Sequence, residues 1–246
     1  NLFSDAYEEA SYVASVIKEG FDSGKNLNSY AILYRTNAQS RLFEERLVSL
    51  NIPYKLVGGV NFYSRLEIKD LLAYLRIIEN PADDISVRRI INVPKRGIGA
   101  TTIDRVQTYA NSHELTFFEA LKSVDQIVDI KPAAARKITD FVSLIYEFGE
   151  KAEKGNISEL LEKITTDTGY TGELICENTP EADARLENID ELFNKTRTYD
   201  ESEGEKSLSG FLQEVALVAD IDTLDDEDEY VVLMTIHGAK GLEFDT

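Results

Sequence analysis

The fold is decided by the stretch Val231-Val232-Leu233-Met234-Thr235-Ile236-His237-Gly238-Ala239-Lys240-Gly241-Leu242-Glu243-Phe244. Its first half is apolar, which is typical of a strand buried on both faces of a sheet. Its second half carries two glycines, which let a backbone approach a ligand closely. The pattern predicts a strand followed by a glycine-bearing turn, with His237, Lys240 and Glu243 around it. A tight αβ connection carrying a surface histidine is the alternative.

Two further strands are predicted near the beginning of the chain, at Tyr30–Tyr34 and at Pro53–Val57. The segment between them repeats its apolar residues at helical spacing, and Asn37 or Ser40 is the expected cap. Strand, helix and strand then form a right-handed βαβ unit with parallel strands. If the strand from 231 to 236 runs parallel to Tyr30–Tyr34, the loops after these two strands open on the same side of the sheet.

The middle of the chain has a different pattern, because apolar residues recur at helical spacing from about Tyr63 to Asp225. This spacing predicts an all-helical region. A strand composition returns at Tyr230–Ile236. The sequence therefore predicts an α/β domain with a partial parallel sheet, into which a large all-helical subdomain is inserted. A helical bundle followed by a separate β element is the competing architecture.

Charge is distributed unevenly along the 246 residues. The chain carries 45 acidic against 26 basic residues, a net charge of −19, which by itself argues against a nucleic-acid binder. The segment Glu177–Glu229 holds 18 acids and 4 bases, so 4 − 18 = −14, whereas Arg88–Arg105 holds 5 bases and 1 acid, so 5 − 1 = +4. Because salt screens charges beyond about 8–10 Å, a local basic face on an acidic body is compatible with the composition.

Several classes of protein are excluded by the composition. One cysteine, Cys176, leaves no disulfide framework and no multi-thiolate zinc site, and two histidines, His113 and His237, leave no histidine-rich metal centre. No metal site is predicted. No signal-peptide pattern and no apolar run long enough for a membrane span occurs, so we expect a soluble, cytoplasmic protein with no membrane partner. The first residue is not Met, and both ends are expected to be cut from a longer protein.

The first candidate site follows the first strand, at Tyr34–Arg41. In open parallel sheets, ligands bind outside the carboxyl ends of the strands. Arg35 and Arg41 are suited to phosphates, and Thr36 and Asn37 can hydrogen-bond a backbone or a sugar. A helix-capping loop with solvated arginines explains the same residues.

The second candidate site, Pro94–Thr102, lies between two predicted helices. Its Gly-Ile-Gly turn, backed by a helix N-terminus, is expected to point backbone N–H groups at an anion, and Lys95 and Arg96 stand beside it. Thr101 and Asp104 resemble a capping box. Such a hairpin suits the phosphate backbone of DNA, which it holds without reading the sequence. A plain helix–helix turn is the alternative.

Four stretches, in this order, carry a resemblance to a known family: Leu33-Tyr34-Arg35-Thr36-Asn37-Ala38-Gln39-Ser40-Arg41, Val57-Gly58-Gly59-Val60-Asn61-Phe62-Tyr63-Ser64-Arg65-Leu66-Glu67-Ile68-Lys69-Asp70, Arg96-Gly97-Ile98-Gly99 and Leu233-Met234-Thr235-Ile236-His237-Gly238-Ala239-Lys240-Gly241-Leu242-Glu243-Phe244. The chain resembles the superfamily-1 DNA helicases of the UvrD, Rep and PcrA group, and most closely the PcrA branch. The resemblance covers nearly the whole chain, and it is weakest in the acidic stretch from 177 to 229.

The resemblance implies a four-subdomain motor that uses ATP and Mg²⁺, moves 3′ to 5′ along single-stranded DNA and unwinds duplex DNA in repair or replication. By that pattern, residues 1–62 and 226–246 belong to the second RecA-like domain (2A), and residues 63–225 form the helical insertion (2B) with a helix–hairpin–helix. The first RecA-like domain is absent, and no Gly-x-x-x-x-Gly-Lys-Ser/Thr pattern occurs in the chain. The chain alone is therefore expected to be inactive as an ATPase and to hold no cofactor.

The resemblance also implies roles for individual residues. Arg35, Asn37, Thr235 and His237 match positions that contact the single strand, Glu243 matches one that binds the ribose of ATP, and no catalytic residue lies in the chain. The residues matched to the hairpin that holds duplex DNA are Lys95, Arg96, Gly97, Ile98, Gly99 and Thr102.

A different class of function remains open. In that alternative the helical region is a regulatory and protein-interaction module with little DNA affinity of its own. Its acidic stretch would bind a basic partner, such as the surface of an RNA polymerase or of a repair protein. A helicase–nuclease parent is a third interpretation, but no cluster of nuclease carboxylates is visible in the sequence.

Overall fold

The computed structural model describes residues 3–153, 155–219 and 229–239. The strands within these ranges are β1 (Ala31–Tyr34), β2 (Tyr54–Val57) and β3 (Val231–Thr235). The helices are α1 (Ala6–Asp22), α2 (Ser40–Ser49), α3 (Leu66–Glu79), α4 (Asp84–Ile90), α5 (Ala100–His113), α6 (Phe117–Lys122), α7 (Pro132–Ala152), α8 (Ile157–Asp167), α9 (Tyr170–Glu177), α10 (Pro180–Glu201) and α11 (Leu208–Ala219). The strands therefore lie toward the two ends of the chain, and a long helical region separates them.

The described strands form a parallel sheet in the order β1-β3-β2. Tyr34 is paired with Thr235 on one side of β3, and Tyr54 is paired with Val231 on the other side. Parallel neighbours need a crossover connection, and here the whole helical region supplies the one between β2 and β3. The predicted fold class, a partial α/β sheet with a large helical subdomain, is confirmed.

The sheet corrects one detail of the predicted βαβ unit. β1 and β2 are parallel, as predicted, but they are not neighbours, because β3 lies between them. The local pattern of residues 30–57 fixes the direction of its two strands. It does not show which later strand inserts between them, since that strand follows far along the chain.

The start of α2 differs from the prediction that Asn37 or Ser40 caps it, and this prediction is wrong. The N-cap is Gln39, which ends a short 3₁₀ turn before the helix. Its side chain turns back, and Oε1 accepts the backbone N–H groups of Arg35 (2.9 Å) and Thr36 (3.2 Å). The acceptor that closes the turn before α2 is therefore the side-chain amide of Gln39, which reaches back three and four residues.

The chain divides into two compact units. The sheet unit comprises Asn1–Ile68, Ala184–Leu192 and Gln213–Thr246, and the helical unit comprises Lys69–Asp183 and Phe193–Leu212. Helices α3, α10 and α11 therefore each contribute residues to both units. The domain borders predicted at 62/63 and 225/226 remain predictions, and the second falls outside the described residues.

The sheet unit is held together by one buried apolar cluster. Ile17 of α1, Leu47 of α2 and Leu233 of β3 belong to it, and each is buried. Fully burying such a side chain stabilises a fold by about 1.5–3 kcal/mol. This cluster fixes the helices against the strands and so fixes where the loops after the strands begin.

The helical unit combines an apolar core with a buried ion pair. Its core side chains include Tyr74, Phe141 and others that are fully buried, among them Ile90, Phe117, Phe148 and Ile164. The carboxylate of Asp70 accepts hydrogen bonds from Arg89 Nε (2.7 Å) and from the hydroxyl of Tyr170 (2.9 Å), which ties α3, α4 and α9 together. Over the part of the chain that the structure describes, no helix is long and apolar enough to cross a membrane.

Candidate nucleic-acid interface

The first site lies where β1 and β3 end. The two strands run in the same direction, and the backbone N–H of Ile236 donates to the carbonyl oxygen of Tyr34 (2.8 Å), which holds the loop after β3 against the end of β1. The parallel pairing on which the sequence argument depended is confirmed. As a result, the residues matched to single-strand contacts follow strands that end at the same edge of the sheet: Arg35, Asn37, Thr235 and His237.

The four side chains differ in their exposure. Arg35, Asn37 and His237 are exposed, whereas Thr235 is half-buried. The Thr235 hydroxyl oxygen accepts the backbone N–H of Gly238 (3.1 Å), so this side chain closes the turn after β3. Sequence reasoning gave Thr235 a ligand contact but did not find this structural role.

A cleft of about 380 Å³ lies beside this edge of the sheet. Leu33 and Phe43 line it with apolar groups, Arg35 adds a cation, and Glu9 and Glu191 add two carboxylates. Apolar walls with a few polar groups are typical of a binding cleft. The carboxylate of Glu191 is paired with Arg41 (3.1 Å), and Arg35 gives the cleft a cation that suits a phosphate.

The prediction that Arg41 holds a phosphate is wrong. Its side chain is only 4% exposed, and its guanidinium pairs with Glu45 (3.0 Å) and Glu191 (3.1 Å). Burial lowers the pKa of Arg41, but the neighbouring Glu45, Tyr63 and Glu191 outweigh this effect, so the pKa is raised and the charge is kept. Arg41 is therefore a buried structural cation, which its sequence position next to Ser40 did not reveal.

A second buried arginine, Arg65, supports the loop after β1. Its Nη2 donates to the carbonyl oxygen of Asn37 (2.9 Å) and to the hydroxyl oxygen of Ser40 (2.8 Å). Arg65 lies in a motif that the family resemblance carries, and that resemblance implied no role for it. No local spacing rule connects it to Asn37, which lies 28 residues earlier.

The second site is the hairpin between α4 and α5, which belongs to the helical unit. Ile98 is buried and anchors it, whereas Gly97 and Gly99 are exposed. Gly97 has φ +71°, a left-handed conformation that favours glycine. The side-chain oxygen of Asn92 accepts the backbone N–H groups of Arg96 (2.9 Å) and Ile98 (3.2 Å). The amide of Ile98, which was expected to point outward with the rest of the Gly-Ile-Gly turn, is thus turned inward.

The start of α5 also differs from its prediction. The helix begins at Ala100 with Gly99 as its N-cap, and no side chain makes a capping hydrogen bond there. The capping box predicted from Thr101 and Asp104 is wrong, because Thr101 already lies inside the first turn of the helix. Thr102 is half-buried, and its N–H donates to the carbonyl oxygen of Gly99 (3.0 Å).

The two cations of the hairpin differ in their surroundings. Lys95 is exposed, whereas Arg96 is half-buried. Nη1 of Arg96 donates to the carbonyl oxygens of Ile90 (2.9 Å) and Val93 (3.1 Å), and Nη2 donates to the hydroxyl of Tyr74. The guanidinium of Arg96 is therefore bound within the hairpin that it shapes, and Lys95 is the cation that the hairpin presents to solvent.

Lys137 is a cation beside the hairpin that sequence reasoning missed. It is exposed on the second turn of α7, and its Nζ lies 3.4 Å from the carbonyl oxygen of Gly97. The two residues are 40 positions apart, so no motif spacing joins them. The only sequence signal was the charge of α7 near its beginning.

Tyr34 in the sheet unit and Tyr74 in the helical unit are among the buried tyrosines whose pKa values are raised. Burial raises the pKa of Tyr34 to about 12, and the charge of Glu44 adds to the effect. Burial also raises the pKa of Tyr74, although the neighbouring Arg96 opposes the rise. Both hydroxyls are therefore protonated at neutral pH, and neither can act there as a base.

The remaining candidate residues are surface positions or lie outside the described ranges. His113 is exposed at the end of α5 and stacks on Tyr109, with ring centroids 4.0 Å apart, and Cys176 is exposed on α9. Among the residues that the structure describes, no group of three His, Cys, Asp or Glu side chains is placed to hold a metal ion. Lys240 and Glu243 are outside those residues, so the ribose contact of Glu243 remains a prediction.

A parallel sheet interrupted by a long helical region, with polar loops at one sheet edge and a glycine hairpin among the helices, is the architecture expected of a superfamily-1 helicase fragment. The chain belongs to the UvrD-like helicase C-terminal domain family, whose model matches residues 2–246. The family that the motifs indicated is therefore confirmed.

Individual relatives agree with this assignment. The chain is 44% identical over 245 residues to the ATP-dependent DNA helicase PcrA of Bacillus subtilis, and 45% identical over 239 residues to proteins of the same name from Staphylococcus epidermidis and Staphylococcus aureus. These matches cover 96–97% of this chain but only 32–33% of the relatives. The chain thus spans about a third of the length of the curated relatives it matches.

Proposed function

We propose that this chain is part of an ATP-dependent DNA helicase that moves 3′ to 5′ along single-stranded DNA and unwinds duplex DNA. The observation that carries the proposal is the parallel pairing of β1 with β3, which brings two polar loops to one edge of the sheet. The relatives support the ATP-dependent activity, because their name states it. The chain contributes contacts to both forms of DNA and one wall of the ATP site.

In this proposal the sheet edge binds the single strand. Arg35 supplies an exposed cation for a phosphate, and Asn37 and His237 supply exposed hydrogen-bonding groups for the backbone or the sugar. Thr235 contributes its hydroxyl from a half-buried position at the start of the second loop. None of these groups reads a base, which suits a motor that must move along any sequence.

The hairpin is proposed to hold the duplex through its phosphates. Lys95 is its exposed cation, and Lys137 places a second positive charge next to Gly97. Because glycine has no side chain, Gly97 and Gly99 let a DNA backbone come close, while Ile98 and Arg96 hold the hairpin in shape and Thr102 follows in the first turn of α5. Such contacts give affinity that is independent of sequence and sensitive to salt.

The proposed contact with ATP involves a residue outside the described ranges. Glu243 is proposed to accept hydrogen bonds from the ribose, and the P-loop and the Mg²⁺ ligands are proposed to come from another part of the protein. Because the chain has no P-loop pattern, the chain by itself should show only background ATP hydrolysis. Turnover by the purified chain that rises on addition of single-stranded DNA would contradict this part of the proposal.

The DNA-binding proposal is tested by fluorescence anisotropy with a duplex that carries a single-stranded tail. We expect binding at low salt that weakens steeply as salt rises, because each phosphate contact releases counterions. Replacing Lys95 with alanine should weaken binding to the tailed duplex and leave binding to the single strand unchanged. No binding at any salt concentration would contradict the proposal.

A second candidate function is favoured by the charge of α10. Glu181, Asp183 and Glu187 are exposed along this helix, within the segment of net charge −14. In this alternative the helical region binds a basic protein surface and restrains the motor. Unchanged affinity for the tailed duplex after replacement of Lys95 and Lys137 would favour this regulatory function over duplex binding.

A further inference from the structure

Arg65 connects the loops at the sheet edge through side-chain hydrogen bonds. Its side chain is 7% exposed, and all three of its nitrogens donate hydrogen bonds within the sheet unit. Nε donates to the carbonyl oxygen of Val60 (3.1 Å), and Nη1 donates to Oδ1 of Asn188 (2.7 Å). Nη2 donates to the carbonyl oxygen of Asn37 (2.9 Å) and to the hydroxyl oxygen of Ser40 (2.8 Å). One planar group thus joins three separate segments of the chain.

The charge of this buried arginine is balanced by a buried carboxylate. Glu44 is 2% exposed, and its Oε1 lies 4.0 Å from Nη2 of Arg65. The same carboxylate accepts the N–H of Phe62 (3.1 Å) and the hydroxyl of Tyr54 (3.3 Å). Burial lowers the pKa of Arg65, with Glu44 and Glu67 opposing the shift, but an arginine keeps its charge at neutral pH in any case.

The orientation of Asn188 is set by a second partner. Its Nδ2 donates to Oε1 of Glu67 (2.6 Å), which leaves its oxygen to accept from Arg65. Asn188 and Glu67 are both buried, so this chain of hydrogen bonds is shielded from water. Buried networks of this kind hold a single geometry, because every broken bond leaves a polar group without a partner.

We propose that Arg65 is a positioning residue for single-strand binding. By holding the carbonyl group of Asn37, it fixes the short loop from which Arg35 and Asn37 present their exposed side chains. Arg65 itself is too deeply buried to contact a phosphate, so its effect on the strand is indirect. Lysine cannot take its place, because a single ammonium group lacks the planar fork that reaches four acceptors at once. This inference rests on the proposed function of the sheet edge.

The test is the salt dependence of binding to a fluorescently labelled oligothymidine. Arg65→Lys keeps the positive charge but removes the planar fork and its network of hydrogen bonds. Because these are hydrogen bonds to a charged group, we expect the variant to bind the oligothymidine about tenfold more weakly. The slope of log K against log salt should stay unchanged, because no phosphate contact is removed. Arg35→Ala, which removes a proposed contact, should instead reduce the slope by about 0.7.

Arg41→Lys is the matched control. It changes a second buried arginine of the sheet unit, but its partners are Glu45 and Glu191 and not the carbonyl of Asn37. We expect Arg41→Lys to lower stability and to leave the affinity of the folded protein unchanged. Equal loss of affinity in Arg41→Lys and Arg65→Lys would show a general loosening of the unit and would overturn the inference.

Hydrogen exchange supplies a readout that needs no DNA. The backbone amides of residues 36–39 should exchange faster in Arg65→Lys than in the unmodified chain, and they should not in Arg41→Lys. If Arg65→Lys does not fold, Asn188→Ala removes one of the four acceptors of Arg65, together with the donor to Glu67, and it should weaken binding by about threefold with the same slope.

The failures of the two proposals can be told apart. If the unmodified chain does not bind the oligothymidine even at low salt, the proposed function fails and takes this inference with it. If the unmodified chain binds, and Arg65→Lys binds as tightly with unchanged exchange at residues 36–39, the inference about Arg65 alone is overturned.

Discussion

The loop after β1 and the hairpin before α5 have a similar arrangement of cations, but different interactions hold them in place. Each pairs an exposed cation, Arg35 or Lys95, with a more deeply buried arginine that donates to backbone carbonyls, Arg65 or Arg96. The loop after β1 also has the sheet beneath it, because backbone hydrogen bonds tie the ends of β1 and β3 together. The hairpin has no such ladder, and side chains hold it.

Because of this difference, substitutions in the two segments should have different effects on stability and on affinity. At the sheet edge strand pairing fixes the backbone where the loop begins, and Arg65 positions the rest of the loop on a unit that the sheet already holds, so changes in side chains there should affect affinity more than stability. In the hairpin the inward side chains of Asn92 and Arg96 set the path of the backbone, so changes there should affect stability first.

The largest effect is expected from Arg96→Ala. The variant removes a guanidinium that donates to the carbonyls of Ile90 and Val93, binds the hydroxyl of Tyr74 and lies 5.2 Å from the ring of Phe141. We expect a loss of about 2–4 kcal/mol in the free energy of unfolding, measured by urea denaturation. Lys95→Ala is the control, and it should stay within about 0.5 kcal/mol of the unmodified chain. Similar losses in the two variants would remove the distinction between the cations.

Asn92→Ala should have the next largest effect. It removes the acceptor of two backbone N–H groups, those of Arg96 and Ile98, which costs about 1–3 kcal/mol when donors are left buried and unpaired. Asn92→Asp keeps an oxygen acceptor in the same place and should recover most of the lost stability. Denaturation curves of the two variants that coincide would show that this side chain does not close the hairpin.

Gly97→Ala is expected to cost about 1–2 kcal/mol. At φ +71° a side chain is strained, and an added Cβ would also lie 2.5 Å from Nζ of Lys137, whose flexible side chain can move away. The backbone strain therefore dominates. The control is Gly99→Ala, where φ is −79° and no atom stands within 4 Å of an added Cβ, and its thermal midpoint should hardly change. A larger loss at Gly99 than at Gly97 would contradict this explanation.

The smallest effect is that of Tyr34→Phe at the sheet edge, and it appears only at alkaline pH. Burial raises the pKa of Tyr34 to about 12, above its ordinary value near 10. The folded form therefore keeps the hydroxyl proton longer than the unfolded form, and this contribution to stability is complete below pH 10 and is lost as the pH rises toward 12.

The measurement is the difference in unfolding free energy between the unmodified chain and Tyr34→Phe at several pH values. The difference should be constant up to about pH 10 and should then shift against the unmodified chain. A difference that is the same at every pH would mean that Tyr34 titrates alike in the folded and unfolded forms.

Much of the fold could be read from the sequence. Short apolar runs at 30–34, 53–57 and 230–236 predicted the strands, because a strand buried on both faces is apolar throughout. Apolar residues at helical spacing predicted the helices between them, because such helices bury one face. The position of β3 between β1 and β2 left no such pattern. Pairing between distant strands depends on side-chain packing across the whole unit, which a local pattern does not encode.

The candidate sites were predicted in outline but not in the direction of their side chains. Arg35 and Arg41, like Lys95 and Arg96, are cations of one motif, and composition alone treats them as equal. Arg41 is turned inward by Glu191, which lies 150 residues away, and Arg96 by carbonyl groups that have no residue-type signal at all. Which cation faces solvent is therefore a property of tertiary packing.

The central claim is that the exposed cation of the hairpin meets DNA whereas the inward arginine builds the hairpin. It is tested most directly by the salt dependence of tailed-duplex binding in Lys95→Ala and Arg96→Lys, measured where both variants are folded. We predict that Lys95→Ala reduces the slope of log K against log salt by about 0.9, the value for one phosphate contact on duplex DNA, and that Arg96→Lys leaves the slope unchanged while lowering stability. An unchanged slope in Lys95→Ala, or a slope reduced by the same amount in Arg96→Lys, would contradict the account.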